Sequence, residues 1–238
     1  MSAAEEEVPD VYEFDRERHQ FKIHGRRVFS VTQALRESGL VRFFCSRPVL
    51  EAARQRGQDV HMVVADMDKH PFTEAERYWE SDDRLTGYGR AWAAFKREYG
   101  FVHDASEQQV FNLVYQYGGI FDKRGWIFAG TPRQRNVVVE IKSGAAAPWH
   151  AEQLAGYALA LCPKTEALLD LDRLAVYLRP DGRFTVRQFS DHKDVHCFLA
   201  ALTVARLRSE RGLVRPDVGF DEIFTGEIDR SKFPGIHF

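Results

Sequence analysis

The sequence predicts an α/β fold in which a central mixed β-sheet is flanked by helices. Up to about residue 108 the apolar residues recur mainly with the 3.6-residue period of helices, and over the next segment they alternate with the two-residue period of strands. A further helical stretch, a strand pair and a long amphipathic helix follow. Strands and helices that alternate in this way are typical of α/β domains.

The chain begins with a charged, aperiodic segment. Residues 1–17 are predicted to be a flexible acidic tail, and residues 18–238 are predicted to be one domain, because a chain of 238 residues suits a single core. The segment HQFKIHGRRVFSV predicts a hairpin that turns at its His-Gly pair. Ser30 or Thr32 then offers an N-cap for a short helix that ends at Glu37.

Two longer helices are predicted next. Pro48 can occupy the first turn of a helix with the sequence PVLEAARQRGQDVHMVVADM, in which Gly57 is a weak point. The segment RAWAAFKREYG predicts a third helix that stops at Gly100. These N-terminal helices are expected to form a wall of the cleft.

The two-residue period predicts a three-stranded meander. Its strands are expected in QVFNLVYQYGGIFD, GWIFAG and NVVVEIKSG, with turn residues between them. A helix, WHAEQLAGYALAL, comes next. A strand pair joined by Pro-Asp-Gly and an amphipathic helix from about residue 191 to residue 210 complete the pattern.

Composition favours a globular intracellular protein. Hydrophobic residues make up 44% and charged residues 29% of the chain, as in soluble domains. The formal net charge of −2 does not indicate a generally basic nucleic-acid binder, although clustered arginines leave room for a local basic groove. Three widely spaced cysteines predict no disulfide framework and a reducing compartment. We find no secretion signal and no apolar run long enough for a membrane span.

Two charged residues interrupt the apolar strand VVVEIKSG. Because side chains alternate along a strand, Glu140 and Lys142 are expected on the face that carries Val138, with the other apolar side chains on the opposite face. A buried carboxylate or ammonium is costly unless it is paired or bound to a metal. The pair is therefore either an ordinary ion pair on a half-exposed strand or part of a functional site.

A second acidic residue favours a functional site. Asp122 ends the GGIFD segment, and antiparallel pairing through GWIFAG would bring it close to Glu140. Two converging carboxylates repel each other unless a divalent cation lies between them, and an oxygen-rich site suits Mg²⁺ or Mn²⁺. Lys142 beside them could orient or deprotonate a metal-bound water, which is what hydrolysis of a phosphodiester requires.

The order of the motifs resembles a known family. The residues concerned are Gly57-Gln-Asp-Val-His61, Glu107, Gly119-Ile-Phe-Asp122, Glu140-Ile-Lys142-Ser-Gly and Gln153-Leu-Ala-Gly-Tyr157. They resemble the PD-(D/E)xK nuclease superfamily, and within it the RecB-like branch, which includes phage recombination exonucleases and the mitochondrial genome-maintenance exonuclease. The resemblance covers about residues 29–160, including SVTQAL near its start. It implies a restriction-endonuclease-like core.

The resemblance implies a metal site and a catalytic lysine. Asp122 and Glu140 would be metal-binding carboxylates, with the backbone carbonyl of Ile141 as a further ligand. The helical His61 would bind metal too, as it does in the members that possess this histidine. Lys142 would be the catalytic lysine. The cofactor would be Mg²⁺ or Mn²⁺, and three cysteines are too few for an iron–sulfur cluster.

Other residues are assigned more loosely. Glu107 matches an acidic position of some relatives, and Gln153 and Tyr157 match the QxxxY motif, which contacts DNA and supports the catalytic site. Residues that could track the DNA backbone or stack on a base are Arg42, Arg47, Arg54, Arg56 and Trp149. The arginines are also compatible with an ordinary solvated helix face.

The resemblance implies a Mg²⁺- or Mn²⁺-dependent deoxyribonuclease, favoured as an exonuclease that acts from DNA ends in recombination or repair. No GxxxxGK[ST] loop occurs, so the nuclease would work alone or with a separate partner protein. A cytoplasmic or nucleoid-associated location is expected. Two alternatives stay open. One is a catalytically silent nucleic-acid-binding subunit that kept the fold, and the other is an endonuclease of the same superfamily.

Overall fold

The computed structural model describes residues 11–41, 46–69, 83–162, 168 and 170–213. In chain order the elements are β1 (Tyr12–Asp15), β2 (Gln20–Ile23), β3 (Arg26–Val28), α1 (Val31–Glu37), α2 (Arg47–Lys69), α3 (Asp83–Tyr99), β4 (Val102–Asn112), β5 (Tyr117–Ile127), β6 (Arg135–Lys142), α4 (His150–Leu161), β7 (Leu171–Leu178), β8 (Phe184–Phe189) and α5 (Lys193–Glu210).

The main sheet has five strands in the order β4-β5-β6-β7-β8. Strands β6 and β7 are parallel, whereas the other neighbouring pairs are antiparallel. The connection from β6 to β7 passes through α4, because parallel neighbours need a crossover that is usually helical. The sheet is therefore mixed and flanked by helices, and the α/β prediction is confirmed.

Helices cover both faces of the sheet, and the alternation along β6 shows which residues face which layer. Val138 belongs to a core that includes residues of α1, α4 and α5. Val137, Val139 and Ile141 belong to a second core that includes residues of α2 and α3. The helical wall on this second face therefore consists of α2 and α3, whereas α1 lies on the face of Val138.

The predicted meander is confirmed as β4, β5 and β6, but its strand boundaries are wrong. The first hairpin turns at residues 113–116, inside the segment read as one strand. There the side-chain carbonyl of Asn112 accepts a hydrogen bond from the Tyr115 amide at 2.8 Å, and Gln116 has a φ of 48°. An asparagine side chain at the start of such a turn can accept the hydrogen bond that a backbone carbonyl would otherwise accept. The alternating pattern on either side concealed this turn in the sequence.

The predicted break before Gly125 is also wrong, because this glycine lies inside β5. A Cβ atom at Gly125 would lie 2.0 Å from the carbonyl oxygen of Val102 on β4. The register of β4 against β5 shifts nearby, between His103 and Ala105. Gly125 therefore marks a close approach of two strands at a bulge and not a turn.

The N-terminal hairpin is confirmed and begins earlier than predicted. It turns at His24 and Gly25, which have φ values of 49° and 71° as a two-residue hairpin turn requires. Strand β1 pairs antiparallel with β2. The prediction of a flexible tail is therefore wrong for residues 12–15, and residues 1–10 lie outside the described part.

The predicted helix signals agree with the structure. Ser30 is the N-cap of α1 and forms a capping box with Gln33. Helix α2 runs through Gly57 without interruption, and α3 ends at Tyr99 before Gly100, which has a φ of 52°. Among the described helices, none has the length and apolar character needed to cross a membrane.

Candidate active site

The candidate site lies where strands β5 and β6 separate. The last recorded pair of their ladder is Lys123 with Val139, and Asp122 is the next residue along β5. The Ile141 amide donates a hydrogen bond to Asp122 Oδ2 at 2.6 Å. Asp122 is therefore a direct neighbour of β6, and the detour through GWIFAG that the sequence predicted is not needed.

Glu140 and Lys142 point toward α4, on the face of Val138, as the alternation predicted. Lys142 Nζ donates to Glu140 Oε1 at 2.9 Å, and Gln153 Nε2 donates to the same oxygen at 2.8 Å. Lys142 also donates to Gln153 Oε1 at 2.9 Å, and Gln153 Nε2 contacts the Tyr157 hydroxyl at 3.3 Å. Four residues from β6 and α4 thus form one hydrogen-bond network.

The second carboxylate oxygen of Glu140 has no hydrogen-bond partner. The residue is only 5% exposed, and its Oε2 is buried. Burial and the nearby charge of Asp122 raise the pKa of Glu140 from 4.5 to about 7, although Lys142 acts in the opposite direction. Burial, followed by the charges of the two carboxylates, also raises the pKa of Tyr157 well above its usual value. The site is therefore short of positive charge.

His61 and Glu107 complete the acidic side of the cleft. His61 Nε2 lies 3.8 Å from Asp122 Oδ2, and His61 Nδ1 lies 3.9 Å from Glu107 Oε1. Glu107 has a φ of 49°, an unusual conformation for a residue within a strand. The cleft has a volume of about 660 Å³ and is lined by His61, Glu107, Asp122 and Glu140. The structure thus brings together the predicted metal-binding side chains.

These side chains are not closed around a common point. Within the part of the chain that the structure describes, no group of three or more His, Cys, Asp and Glu residues is arranged to hold a metal ion as it stands. The chemistry of the donors nevertheless fits Mg²⁺ or Mn²⁺, because two carboxylates that repel each other line the same cleft and one buried oxygen of Glu140 is unpartnered. Buried oxygens of Glu152 and Asp172 are unpartnered too, but neither residue lines the cleft.

Two glycines allow the helix that carries the QxxxY motif to approach the sheet. A Cβ atom at Gly119 on β5 would lie 2.8 Å from Tyr157 Cε1. On the other side of α4, a Cβ atom at Gly156 would lie 2.9 Å from Phe198 Cε2. The close packing holds Gln153 at hydrogen-bonding distance from Glu140.

The predicted DNA-binding residues do not converge on the cleft. Arg47, Arg54 and Arg56 lie in the first half of α2, and none lines the cleft. Arg54 forms an ion pair with Glu51 at 3.9 Å. The Trp149 ring centroid lies 5.3 Å from Lys142 Nζ, in reach of a cation–π contact. Arg42 lies outside the described residues.

Sequence reasoning missed a second buried charged cluster behind the site. Lys123 is 2% exposed, and its Nζ lies 2.7 Å from both Asp68 Oδ2 and Ser106 Oγ. Lys96 and Trp92 on α3 donate to Asp68 Oδ1 at 2.8 and 3.1 Å. Burial opposes ionisation of Asp68, but the hydrogen bonds from the two lysines lower its pKa. The feature of the sequence that could have revealed this cluster was Lys123, a lysine within a largely buried strand.

A part of the cleft lining outside the predicted motifs was missed as well. Phe14, Arg16 and His19, from β1 and the turn that follows it, line the cleft. The alternation of Tyr12 and Phe14 with acidic residues indicated a strand. The high charge of the first 17 residues concealed it.

No protein-family model matches the chain, and no curated protein matches it. It is similar to the solved structure of a protein described as "Putative exonuclease" from Eubacterium rectale, at 11% identity over 88% of this chain and 94% of that chain, with a TM-score of 0.43. It is also similar to the structure of SSO0001, at 14% identity over 63% of this chain and 73% of that chain, with a TM-score of 0.34.

Proposed function

We propose that the chain is a metal-dependent deoxyribonuclease of the RecB-like PD-(D/E)xK type that hydrolyses phosphodiester bonds and acts as an exonuclease from DNA ends. One observation supports this most directly. The buried Glu140 keeps an unpartnered oxygen beside the Asp122 carboxylate, while Lys142 contacts its other oxygen. A site that holds two neighbouring carboxylates at a stability cost is typical of a function that needs them.

The metal would be held on the acidic side of the cleft. Asp122 and Glu140 supply carboxylate oxygens, with His61, Glu107 and the backbone carbonyl of Ile141 as the further candidates. When bound, Mg²⁺ or Mn²⁺ would activate a water molecule and offset charge on the phosphate. The other steps of the reaction depend on the protein side chains.

Lys142 and the QxxxY pair position the reacting groups. The Lys142 ammonium donates to Glu140 and to Gln153, so it is held beside the carboxylate that would face the attacking water. Gln153 bridges Glu140 and Tyr157, and its amide restrains the Glu140 oxygen that also contacts Lys142. Such fixed donors need no rearrangement as charge develops on the phosphate.

The test is cleavage of end-labelled DNA with Mg²⁺ or Mn²⁺. Asp122→Asn, Glu140→Gln and Lys142→Met are each expected to reduce the rate by at least about a hundred-fold, by analogy with the loss of one electrostatic contact in a catalytic site. The matched control is Glu152→Gln, because Glu152 also has a buried unpartnered oxygen but lies outside the cleft. Cleavage at the wild-type rate by all three site variants would refute the proposal.

A silent nucleic-acid-binding subunit is the second candidate. It is favoured by the finding that, over the described residues, no three candidate ligands are arranged to hold a metal ion. Titration with Mn²⁺ separates the two functions. The nuclease should bind Mn²⁺ in the wild type and lose this binding in Asp122→Asn, whereas the silent subunit should bind no Mn²⁺ in either protein.

The exonuclease assignment has its own test. An exonuclease needs a DNA end, so it should degrade a linear duplex and leave a closed circular duplex of the same sequence intact. An endonuclease of the same superfamily should cut both. The resemblance to RecB-like nucleases favours a role in recombination or repair. Because no GxxxxGK[ST] loop occurs in the sequence, we propose that the nuclease works alone or with a separate partner protein.

A further inference from the structure

We propose that residues 12–23, the β1–β2 hairpin, form part of the substrate-binding surface, and that the Arg16 guanidinium binds a phosphate of a DNA strand lying in the cleft. This inference rests on the proposed nuclease function. It adds a substrate contact that lies outside all the motifs described above.

The cleft is mostly acidic, and a bound DNA strand would need a positive charge within it. Three acids, Glu107, Asp122 and Glu140, line it, and Arg16 is the only arginine or lysine among the described residues that do so. A DNA strand that enters such a cleft is repelled by the carboxylates. A metal ion would offset charge at the scissile phosphate, but a neighbouring phosphate needs a cation of its own. An arginine suits this task because its planar donors match a phosphate in two places.

The guanidinium of Arg16 is accessible to a ligand. Arg16 is exposed at the start of the turn that follows β1. Over the described residues it forms no ion pair, whereas Lys22 in the same hairpin is paired with Glu13 at 2.9 Å. Among the residues that the structure describes, no ion pair would have to break for the Arg16 side chain to bind a phosphate.

The hairpin is fixed to the strand that carries Asp122. Phe21 of β2 packs over β5 at a glycine, since a Cβ atom at Gly118 would lie 2.3 Å from Phe21 Cδ1. The Gly118 amide also donates to the Phe29 carbonyl at 3.0 Å, just after β3. Phe21 is 1% exposed. The position of Arg16 relative to Asp122 is therefore set by core packing.

An aromatic side chain beside Arg16 completes the surface. Phe14 lines the cleft, half-buried, with its ring centroid 4.5 Å from that of Phe21 and 5.3 Å from that of His19. Such a ring, held from behind by others, offers an apolar face to a sugar or a base of the strand whose phosphate contacts Arg16.

The turn itself supplies a matched control. Arg18 is exposed in the same turn and does not line the cleft. Its backbone amide donates to Asp15 Oδ1 at 3.0 Å, and alanine keeps this bond. Arg16→Ala and Arg18→Ala remove the same charge from the same hairpin, but only Arg16→Ala removes a side chain that lines the cleft.

The experiment measures the affinity of the full chain for a short fluorescently labelled DNA by anisotropy, with Ca²⁺ in place of Mg²⁺ to limit cleavage, at several salt concentrations. Arg16→Ala should weaken binding by about ten-fold and reduce the slope of log affinity against log salt by about 0.7–0.9, the value for one lost phosphate contact. Arg16→Lys should keep the slope. Arg18→Ala should match the wild type in affinity.

Two results would overturn the inference, and they are distinguishable. If the wild type binds and cleaves DNA while Arg16→Ala and Arg18→Ala behave alike, the hairpin does not contact the substrate and the nuclease function stands. If the wild type neither binds nor cleaves DNA, the proposed function fails and the inference fails with it.

Discussion

Glu140→Gln should stabilise the metal-free protein while it abolishes cleavage. The pKa of this buried carboxyl is raised from 4.5 to about 7, mainly by burial and then by Asp122. Each pKa unit corresponds to about 1.4 kcal/mol, so the ionised Glu140 destabilises the fold by at most about 3 kcal/mol above pH 7. Glutamine keeps an oxygen for the donors Lys142 and Gln153 and removes this cost.

The effect depends on pH in a defined direction. Between about pH 4.5 and pH 7 the folded protein holds a proton on Glu140 that the unfolded chain has lost, so the wild type becomes less stable as the pH rises through this window. Below it the carboxyl is protonated in both states, and the two proteins should have similar stability. Above it the difference should reach its full size.

The assay is thermal unfolding followed by circular dichroism, with EDTA, at pH 5 and pH 8. For a chain of this size about 3 kcal/mol corresponds to a rise in melting temperature of up to about 10 °C. Addition of Mn²⁺ should stabilise the wild type and not Glu140→Gln. Glu51→Gln, an exposed site on α2, is the control and should change neither property. If Glu140→Gln were no more stable than the wild type at pH 8, the reasoning from burial would be refuted.

Three further predictions follow from the packing and the charges. Asp68→Asn leaves Lys123 buried without its counter-ion and should lower the free energy of unfolding by about 3–5 kcal/mol in urea titrations. A free energy of unfolding close to that of the wild type would refute this prediction. Gly119→Ala forces a contact of 2.8 Å with Tyr157 and should cost about 1–3 kcal/mol in the same assay; an unchanged midpoint would contradict this. If α2 binds DNA, Arg56→Ala should lower the salt dependence of binding, and an unchanged slope would assign Arg56 to a solvated face.

The sequence predicted the layers and the central part of the site because both depend on local alternation. The faces of β6, the helix that carries Gln153 and Tyr157, and the N-cap at Ser30 all follow from spacing within a few residues. Turn positions were harder, because the turn before β5 has the same alternation as the strands around it. Strand β1 was missed because the high charge of the first 17 residues concealed its alternation.

Two lysines show where prediction from sequence ends. Lys123 and Lys142 both interrupt buried strands and both contact a carboxylate. The carboxylate that contacts Lys142 is two residues away on the same strand, so the pattern Glu-x-Lys reveals it. The one that contacts Lys123 is Asp68, far away on α2, and no local pattern connects the two. Long-range ion pairs of this kind become visible only once the helices are placed on the sheet.

The Asp68 pair also affects the geometry of the candidate site. Asp122 and Lys123 are consecutive on β5, so their side chains leave the strand on opposite sides. Lys123 holds Asp68, and His61 lies seven residues before Asp68, two turns away on nearly the same side of α2. The ion pair therefore holds α2 in the position on the sheet at which His61 Nε2 lies 3.8 Å from Asp122 Oδ2. Loss of the pair should then displace His61 as well as destabilise the fold. Asp68→Asn should weaken Mn²⁺ binding even under conditions in which the variant is fully folded, and an unchanged Mn²⁺ affinity of the folded variant would show that the pair serves stability alone.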